Sequence, residues 1–135
     1  MLGIDIALLV GGAVAACGPA TGSPPTGPVA AGNISALSVG TLLVMSNVVV
    51  ARDSGGVYAM SAICTHQGCF LEDGSKTINT GLQCPCHGSA FDGNGMVTNG
   101  PAKDALQHYN VTIGSDGGIT VDGSVKVDAT TRAGA

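Results

Sequence analysis

The chain has 135 residues, of which 44% are apolar, 10% charged and 3% aromatic, and it contains 22 glycines. That length suits one domain with a buried core and excludes two large domains. Five basic against nine acidic residues give a formal net charge of -4, so the sequence lacks the basic surface that nucleic acids or anionic lipids require. The composition also excludes a charge-rich disordered chain or a coiled coil, and it favours a turn-rich β protein.

Residues 1–17 are interpreted as an export leader. Residues 6–16 carry no charge; they match the length of a signal-peptide apolar region and are too few to span a bilayer, which needs about 20 apolar residues. Val14-Ala15-Ala16-Cys17 resembles the bacterial lipobox, in which the cysteine is lipidated and becomes the first mature residue. The alternative is an uncleaved apolar segment with an incidental, buried Cys17.

Residues 18–33 predict a linker. Residues 18–32 hold four of the six prolines and no charged or large side chain, a composition typical of tethers. A flexible coil of this length has a root-mean-square span of roughly 20 Å. We therefore expect a mobile segment that lets the following domain move between partners.

Two hairpins are predicted from apolar runs on either side of glycine-rich turns. In the first, residues 48–51 and 57–60 flank Asp53-Ser54-Gly55-Gly56, where glycine can take the positive φ of a tight turn. In the second, residues 107–113 alternate with period two and lead into Ser115-Asp116-Gly117-Gly118 and a further apolar run. Both patterns are typical of antiparallel sheets.

The remainder of the region after the linker also predicts strands. Residues 34–44 form another strand candidate, and no stretch there has a helical period with caps. We expect one all-β domain, a small antiparallel sandwich or barrel, over residues 34–128, and a C-terminal tail at 129–135. His108 lies in the second alternating run and is expected to be an exposed strand residue.

Cysteine and histidine are concentrated in two short motifs between the hairpins. The motifs are Cys64-Thr65-His66-Gln67-Gly68-Cys69 and Cys84-Pro85-Cys86-His87-Gly88-Ser89, with 14 residues between them. Each motif offers a thiolate and an imidazole, and both of these ligands bind zinc and iron in proteins. From the ligand types alone, a structural zinc site and an iron-sulfur centre both remain open.

The two motifs resemble the cluster-binding loops of Rieske iron-sulfur proteins. The resemblance continues through Gly100-Pro101-Ala102, which is similar to the family's proline loop. It implies a Rieske-like β domain with one 2Fe-2S cluster, Cys64 and Cys84 binding one iron and His66 and His87 the other. Zinc sites rarely repeat the C-x-H spacing with two spare cysteines, so the interpretation as an iron-sulfur centre is favoured.

The resemblance also implies roles for residues around the cluster. Cys69 and Cys86 match the pair that forms a disulfide between the loops in some members, and such a bond indicates an oxidising compartment. Ser89 stands where the family's serine donates to a bridging sulfide. Phe91 stands where high-potential members have a tyrosine that donates to a ligand sulfur. One hydrogen bond that raises the reduction potential is therefore expected to be missing.

Together, the leader and the resemblance predict an exported electron-transfer protein tethered to a membrane by its N-terminus. We expect it in the periplasm or on the outer face of the cytoplasmic membrane, in a respiratory or periplasmic redox chain, without catalysis of its own. Its partner would be a c-type cytochrome or an oxidoreductase subunit, with quinol as a further candidate; no nucleic acid is expected.

Three alternative functions stay open. The first is the Rieske subunit of a quinol:cytochrome c reductase, where His87 would contact quinol; the short apolar run argues against it. The second is the small subunit of an arsenite-oxidase-like enzyme, which is also exported and keeps the disulfide. The third is the soluble ferredoxin of a ring-hydroxylating oxygenase, against which Cys69 and Cys86 argue because such carriers usually lack the extra pair.

Overall fold

The protein is built almost entirely of β-strands, which confirms the all-β prediction. The computed structural model describes residues 21–134, so the predicted leader, Cys17 and the start of the predicted linker lie outside the described residues. Within that range, no helix has the length and apolarity needed to cross a membrane. The strands are β1 (Pro28–Asn33), β2 (Thr41–Met45), β3 (Val48–Asp53), β4 (Gly56–Ser61), β5 (Gly74–Thr77), β6 (Leu82–Gln83), β7 (Ala90–Phe91), β8 (Val97–Asn99), β9 (His108–Ile113) and β10 (Gly118–Val127).

A seven-stranded antiparallel sheet forms the body of the domain, and a three-stranded sheet has its first strand before the second motif and its other two strands after it. The strand orders are β1-β10-β9-β4-β3-β2-β5 and β6-β7-β8. Both predicted hairpins are present: Asp53 pairs with Gly56 at the β3–β4 turn, and Ile113 pairs with Ile119 at the β9–β10 turn. The hairpins place β4 beside β9 in the centre of the large sheet.

The strand expected over residues 34–44 is interrupted. The side chain of Asn33 accepts a hydrogen bond from the N–H of Ser35 and caps a 3₁₀ helix at Ile34–Ala36. Strand β2 begins only at Thr41. Asparagine side chains compete with strand pairing by bonding to the nearby backbone, so the prediction of one continuous strand is wrong here.

Apolar side chains form two cores, one on each face of the large sheet. In β3, Val49 and Ala51 belong to the first core, whereas Val48 and Val50 belong to the second. Alternate residues of a strand point to opposite faces, so β3 is covered on both sides. The first core also contains the buried cysteines of both motifs, and the metal centre is therefore continuous with it.

The linker predicted through residue 33 is wrong at its C-terminal end. Pro28–Asn33 is the edge strand β1 and pairs with β10. Before it, the carbonyl of Gly27 accepts a hydrogen bond from Gly123 N–H at 2.9 Å, and Gly22 N–H donates to Gly68 O at 3.0 Å. Proline is tolerated at the first residue of an edge strand, so a proline-rich composition did not distinguish linker from strand.

A glycine in β10 tests whether residues 21–27 are docked on the domain. A Cβ at Gly123 would lie 2.3 Å from the carbonyl oxygen of Pro25, whereas a Cβ at Gly27 would meet nothing within 4 Å. We expect Gly123→Ala to lower the free energy of unfolding by about 1–3 kcal/mol, since the overlap displaces backbone. Gly27→Ala is the matched control and should leave it almost unchanged. Denaturant unfolding of both variants measures the difference; equal stabilities would contradict the docking.

Candidate metal centre

The two motifs form loops with the same backbone closure. In Cys64–Cys69 the first residue donates its N–H to the carbonyl of the last at 2.8 Å, and Gly68 donates back to the first at 3.0 Å. In Cys84–Ser89 the corresponding distances are 2.8 Å and 3.2 Å, with Gly88 as the second donor. Both glycines have a positive φ, 76° and 82°, which favours glycine over residues with a Cβ.

A disulfide between Cys69 and Cys86 joins the loops, as the family resemblance implied. It closes a sequence separation of 17 residues, for which the chain-entropy model gives about 3 kcal/mol of stabilisation. The sulfur atoms of Cys69, Cys84 and Cys86 lie within 4.8 Å of one another. Two of these sulfurs are bonded to each other, so within this group Cys84 supplies the free thiol.

The free thiols lie inside the domain and the imidazoles lie on its surface. Cys64 and Cys84 are unpaired and each is 2% exposed. Burial raises the pKa of the Cys84 thiol, the N–H of Cys86 partly offsets that increase, and the adjacent Cys64 thiol adds to it. His66 and His87 are exposed, with ring centroids 5.0 Å apart and ring planes at 87°.

This donor set fits a Rieske-type 2Fe-2S cluster. Such a cluster needs two cysteine and two histidine ligands, one pair on each iron. The loops bring together two buried thiols and two exposed imidazoles, and the disulfide removes the two other cysteines of the motifs from metal binding. The two thiols lie next to each other and the two imidazoles lie next to each other; that these four residues are the cluster ligands stays a prediction.

The predicted proline segment and the two residues that follow it lie beside both loops. Ala102 N–H donates to the Oγ of the fully buried Ser89 at 2.9 Å, which leaves the serine hydroxyl hydrogen free to donate elsewhere. Thr65 Oγ1 donates to the carbonyl of Asp104 at 2.7 Å. A cavity of about 360 Å³ opens here, lined by Thr65, His66, Pro101, Lys103 and Asp104. Lys103 and Asp104 belong to no motif of the sequence, although they directly follow the proline segment.

Phe91 packs in the same apolar core as Cys64 and Cys84 and is 2% exposed. Its side chain carries no hydrogen-bond donor. The residue singled out by the resemblance is therefore in the core that contains the free thiols.

The prediction that His108 is exposed is wrong. The side chain is buried, its Nε2 lies 2.8 Å from the carbonyl oxygen of Asn94, and its ring stacks on Tyr58 with centroids 5.7 Å apart. Burial lowers the pKa of His108, and the bond to Asn94 partly offsets this. Alternation was misleading because the sheet is covered on both faces, so it separates one core from the other and not core from solvent.

Comparison with known proteins identifies the family. The chain matches the family described as the Rieske [2Fe-2S] domain over residues 28–110, which is more than half of its length. The protein belongs to the Rieske [2Fe-2S] domain family. Family membership implies one 2Fe-2S cluster as the cofactor and electron transfer as its activity.

The similar sequences include iron-sulfur subunits of cytochrome b6-f complexes. The subunit from Synechococcus sp. (strain CC9605) is 41% identical over 69 residues, which cover 51% of this chain and 38% of that protein. The subunit from Chlorobaculum tepidum is 39% identical over 75 residues, which cover 55% and 39%. The chain thus spans about two-fifths of the length of these curated relatives.

Two solved structures have a similar fold and cover most of this domain. The plasma membrane Rieske protein PetC3 from the cyanobacterium Synechocystis PCC 6803 has a TM-score of 0.56 and 31% identity, over 69% of this chain and 97% of that chain. The ferredoxin of carbazole 1,9a-dioxygenase from Nocardioides aromaticivorans has a TM-score of 0.51 and 26% identity, over 71% and 97%.

Proposed function

We propose that the protein is an exported, membrane-tethered carrier that passes single electrons to a c-type cytochrome or an oxidoreductase subunit. The observation that carries this proposal is the pair of loops that hold two buried thiols and two exposed imidazoles and are joined by a disulfide. A structural disulfide favours an oxidising compartment. Similarity to a plasma membrane Rieske protein and to subunits of cytochrome b6-f complexes supports work beside a membrane.

In this proposal Cys64 and Cys84 hold one iron and His66 and His87 hold the other. The cluster supplies one-electron redox chemistry when bound. Neutral imidazoles in place of two thiolates remove two negative charges from the site, and reduction is easier for a less negative group in a low-dielectric surrounding. The thiols lie on the core side, from which water is excluded. The exposed imidazoles form the side that an electron partner can reach.

A subunit of a quinol-oxidising complex is the second candidate. The exposed His87 is accessible to a quinol hydroxyl, and the similar sequences include subunits of cytochrome b6-f complexes. The arsenite-oxidase-like subunit is a further alternative that retains the same disulfide. Similarity to a dioxygenase ferredoxin keeps that carrier as another alternative, but the disulfide argues against a reducing cytosol.

The proposed ligands are tested by metal analysis. The purified wild-type protein should contain about two irons and two acid-labile sulfides per chain. Cys64→Ala and His87→Ala should each lose most of both, because each removes a bond that no neighbouring side chain replaces. Gln67→Ala is the matched control, since Gln67 is an exposed residue of the first loop, and it should keep the full content. One zinc without sulfide in the wild type would overturn the proposal.

A lipid on Cys17 would tether the domain at its cluster end. Thr21 pairs with Cys69 of the first loop, and the chain between Cys17 and Thr21 can span at most about 14 Å. We expect Cys17→Ala, expressed with a complete leader in a bacterial host, to lose the lipid mass and to leave the membrane fraction, since acyl chains provide stable anchoring. Unchanged mass and unchanged membrane partition would favour the uncleaved apolar segment.

The reduction potential should respond to hydroxyl groups at positions 89 and 91. A donor to a thiolate stabilises the reduced, more negative state by about 1 to 1.4 kcal/mol, which raises the potential by roughly 40 to 60 mV for one electron. We expect Phe91→Tyr to raise the potential by that order and Ser89→Ala to lower it. Voltammetry of the three proteins at one pH measures both shifts. An intact cluster with an unchanged or lower potential in Phe91→Tyr would show that position 91 does not reach a ligand sulfur.

A further inference from the structure

A buried polar cluster connects the turn after Phe91 to the large sheet. The turn, residues 92–95, lies between β7 and β8. Three side chains form hydrogen bonds to its backbone or to the side chain of Asn94. Tyr58 Oη donates to Gly93 O at 2.6 Å, His108 Nε2 lies 2.8 Å from Asn94 O, and Arg132 Nη2 donates to Asn94 Oδ1 at 3.1 Å. We call Tyr58, His108 and Arg132 the turn clamp.

The three side chains of the turn clamp form a stack. The guanidinium of Arg132 lies 3.9 Å from the ring centroid of Tyr58, and His108 is also stacked on Tyr58, with an interplanar angle of 14°. Cations are attracted to aromatic faces, more strongly when water is excluded. Burial raises the pKa of Tyr58 to about 12, although Arg132 partly opposes the shift. The phenol therefore keeps its proton and can donate to the turn.

The predicted C-terminal tail supplies one side of the turn clamp. Ala133 exchanges two backbone hydrogen bonds with Val57, at 2.7 and 2.9 Å. Arg132 also forms an ion pair with Asp53 at 3.0 Å. The tail is therefore paired to β4 and holds the guanidinium in place.

His108 is the least satisfied member of the turn clamp. Its Nε2 must carry the hydrogen, because the carbonyl of Asn94 only accepts, and Nδ1 has no partner among the described residues. A buried acceptor without a partner lowers stability. The charged or titratable groups that act on the ring are Tyr58 from β4 and, from the C-terminal segment, Arg132 and Asp128. Burial lowers the pKa of His108, so the ring is neutral at pH 7.

Packing connects the turn clamp to the proposed cluster ligands. The turn directly follows Phe91, and both Phe91 and Tyr58 pack in the core that contains Cys64 and Cys84. Leu106 N–H donates to the carbonyl of Gly95 at 2.9 Å, which fixes the far end of the turn. A displacement of residues 92–95 would therefore move Phe91 within the core that contains the buried thiols.

We propose that His108 is a positioning residue for the cluster, holding the β7–β8 turn and thereby Phe91 in the core that contains the buried ligand thiols. The proposal rests on the ligand set given under the proposed function. It assigns a role in electron transfer to a side chain outside both motifs. When the bond to Asn94 is lost, the turn loosens and water gains access to the thiols. Solvent stabilises the more negative reduced state, so the potential should rise.

The test compares two replacements of His108 with a control on the next residue. His108→Phe keeps a ring for stacking and removes the donor, whereas His108→Gln keeps an N–H donor. Tyr109→Leu is the matched control, since Tyr109 is 4% exposed and packs in the second core on the other face of the sheet. We expect His108→Phe to increase the ratio of reduced to oxidised protein at a fixed potential by about threefold. A change of this size corresponds to a fraction of the free energy of one hydrogen bond. It should also shift the electron paramagnetic resonance spectrum of the reduced protein. His108→Gln should restore at least half of this change.

The control and a second variant make the result decisive. Tyr109→Leu should lower the unfolding temperature without changing the ratio or the spectrum. Tyr58→Phe removes only the hydroxyl bonded to Gly93, and it should shift the ratio in the same direction as His108→Phe. It takes the place of His108→Phe in the test if that variant does not fold. A ratio and spectrum unchanged in His108→Phe, or in Tyr58→Phe when that is the variant that folds, would overturn the proposal. A wild-type protein without iron and sulfide would instead overturn the proposed function.

A pH titration gives an independent readout of the same side chain. The folded pKa of His108 lies below the unfolded value of about 6.5, so the unfolded state binds more protons in this window. The free energy of unfolding of the wild-type protein should keep the whole contribution of the neutral His108 above about pH 6.5, and it should fall as the pH drops towards the folded pKa. His108→Phe should lose less stability over that window. An equal loss in both proteins would contradict a neutral, buried ring at this position.

Discussion

The bond between Cys69 and Cys86 is the constraint on which the metal centre depends. Each loop is closed by its own pair of backbone hydrogen bonds, but those bonds do not determine how far one loop lies from the other. The disulfide does, and it also removes two of the four motif cysteines from the set of free thiols. The candidate donors that remain in the two motifs are two buried thiols and two exposed imidazoles.

The rest of the fold holds these loops from the inside. The first core runs from the large sheet to Cys64 and Cys84 without interruption, so tight packing around β4 is also packing around the thiols. Protein interiors are close-packed and transmit small displacements. Residues distant from the motifs in sequence, such as Tyr58 and His108, can therefore affect the environment of the centre through the turn that follows Phe91.

Both ends of the described chain are attached to the domain. The N-terminal segment reaches the first loop at Gly68, and the C-terminal segment pairs with β4 at Val57. Because residues 21–33 follow the domain surface, the mobile part of any tether cannot include them while they stay docked. The reach of a domain anchored at Cys17 would then depend on a few residues, and its cluster end would remain near the anchor.

The local chemistry could be predicted from the sequence, because it depends on residue type and short spacing. Two cysteines and two histidines at the family's spacing predicted a candidate donor set, and glycine-rich turns between apolar runs predicted both hairpins, which the structure confirms. Composition was less informative at the edge of the sheet. Small residues and prolines suit a linker and an edge strand equally, so the strand Pro28–Asn33 was predicted as part of a linker.

By itself, the sequence determined the all-β class, the ligand types and the candidate cysteine pair. Only the tertiary structure decided which groups are buried around them. Alternation along β9 shows that His108 and Tyr109 point to opposite faces, but it does not show that both faces are covered. The two faces are covered by segments far away in the sequence, such as the C-terminal segment that places Arg132 over Tyr58. Burial, hydrogen bonding and protonation at these positions follow from that long-range packing, which a local pattern does not encode.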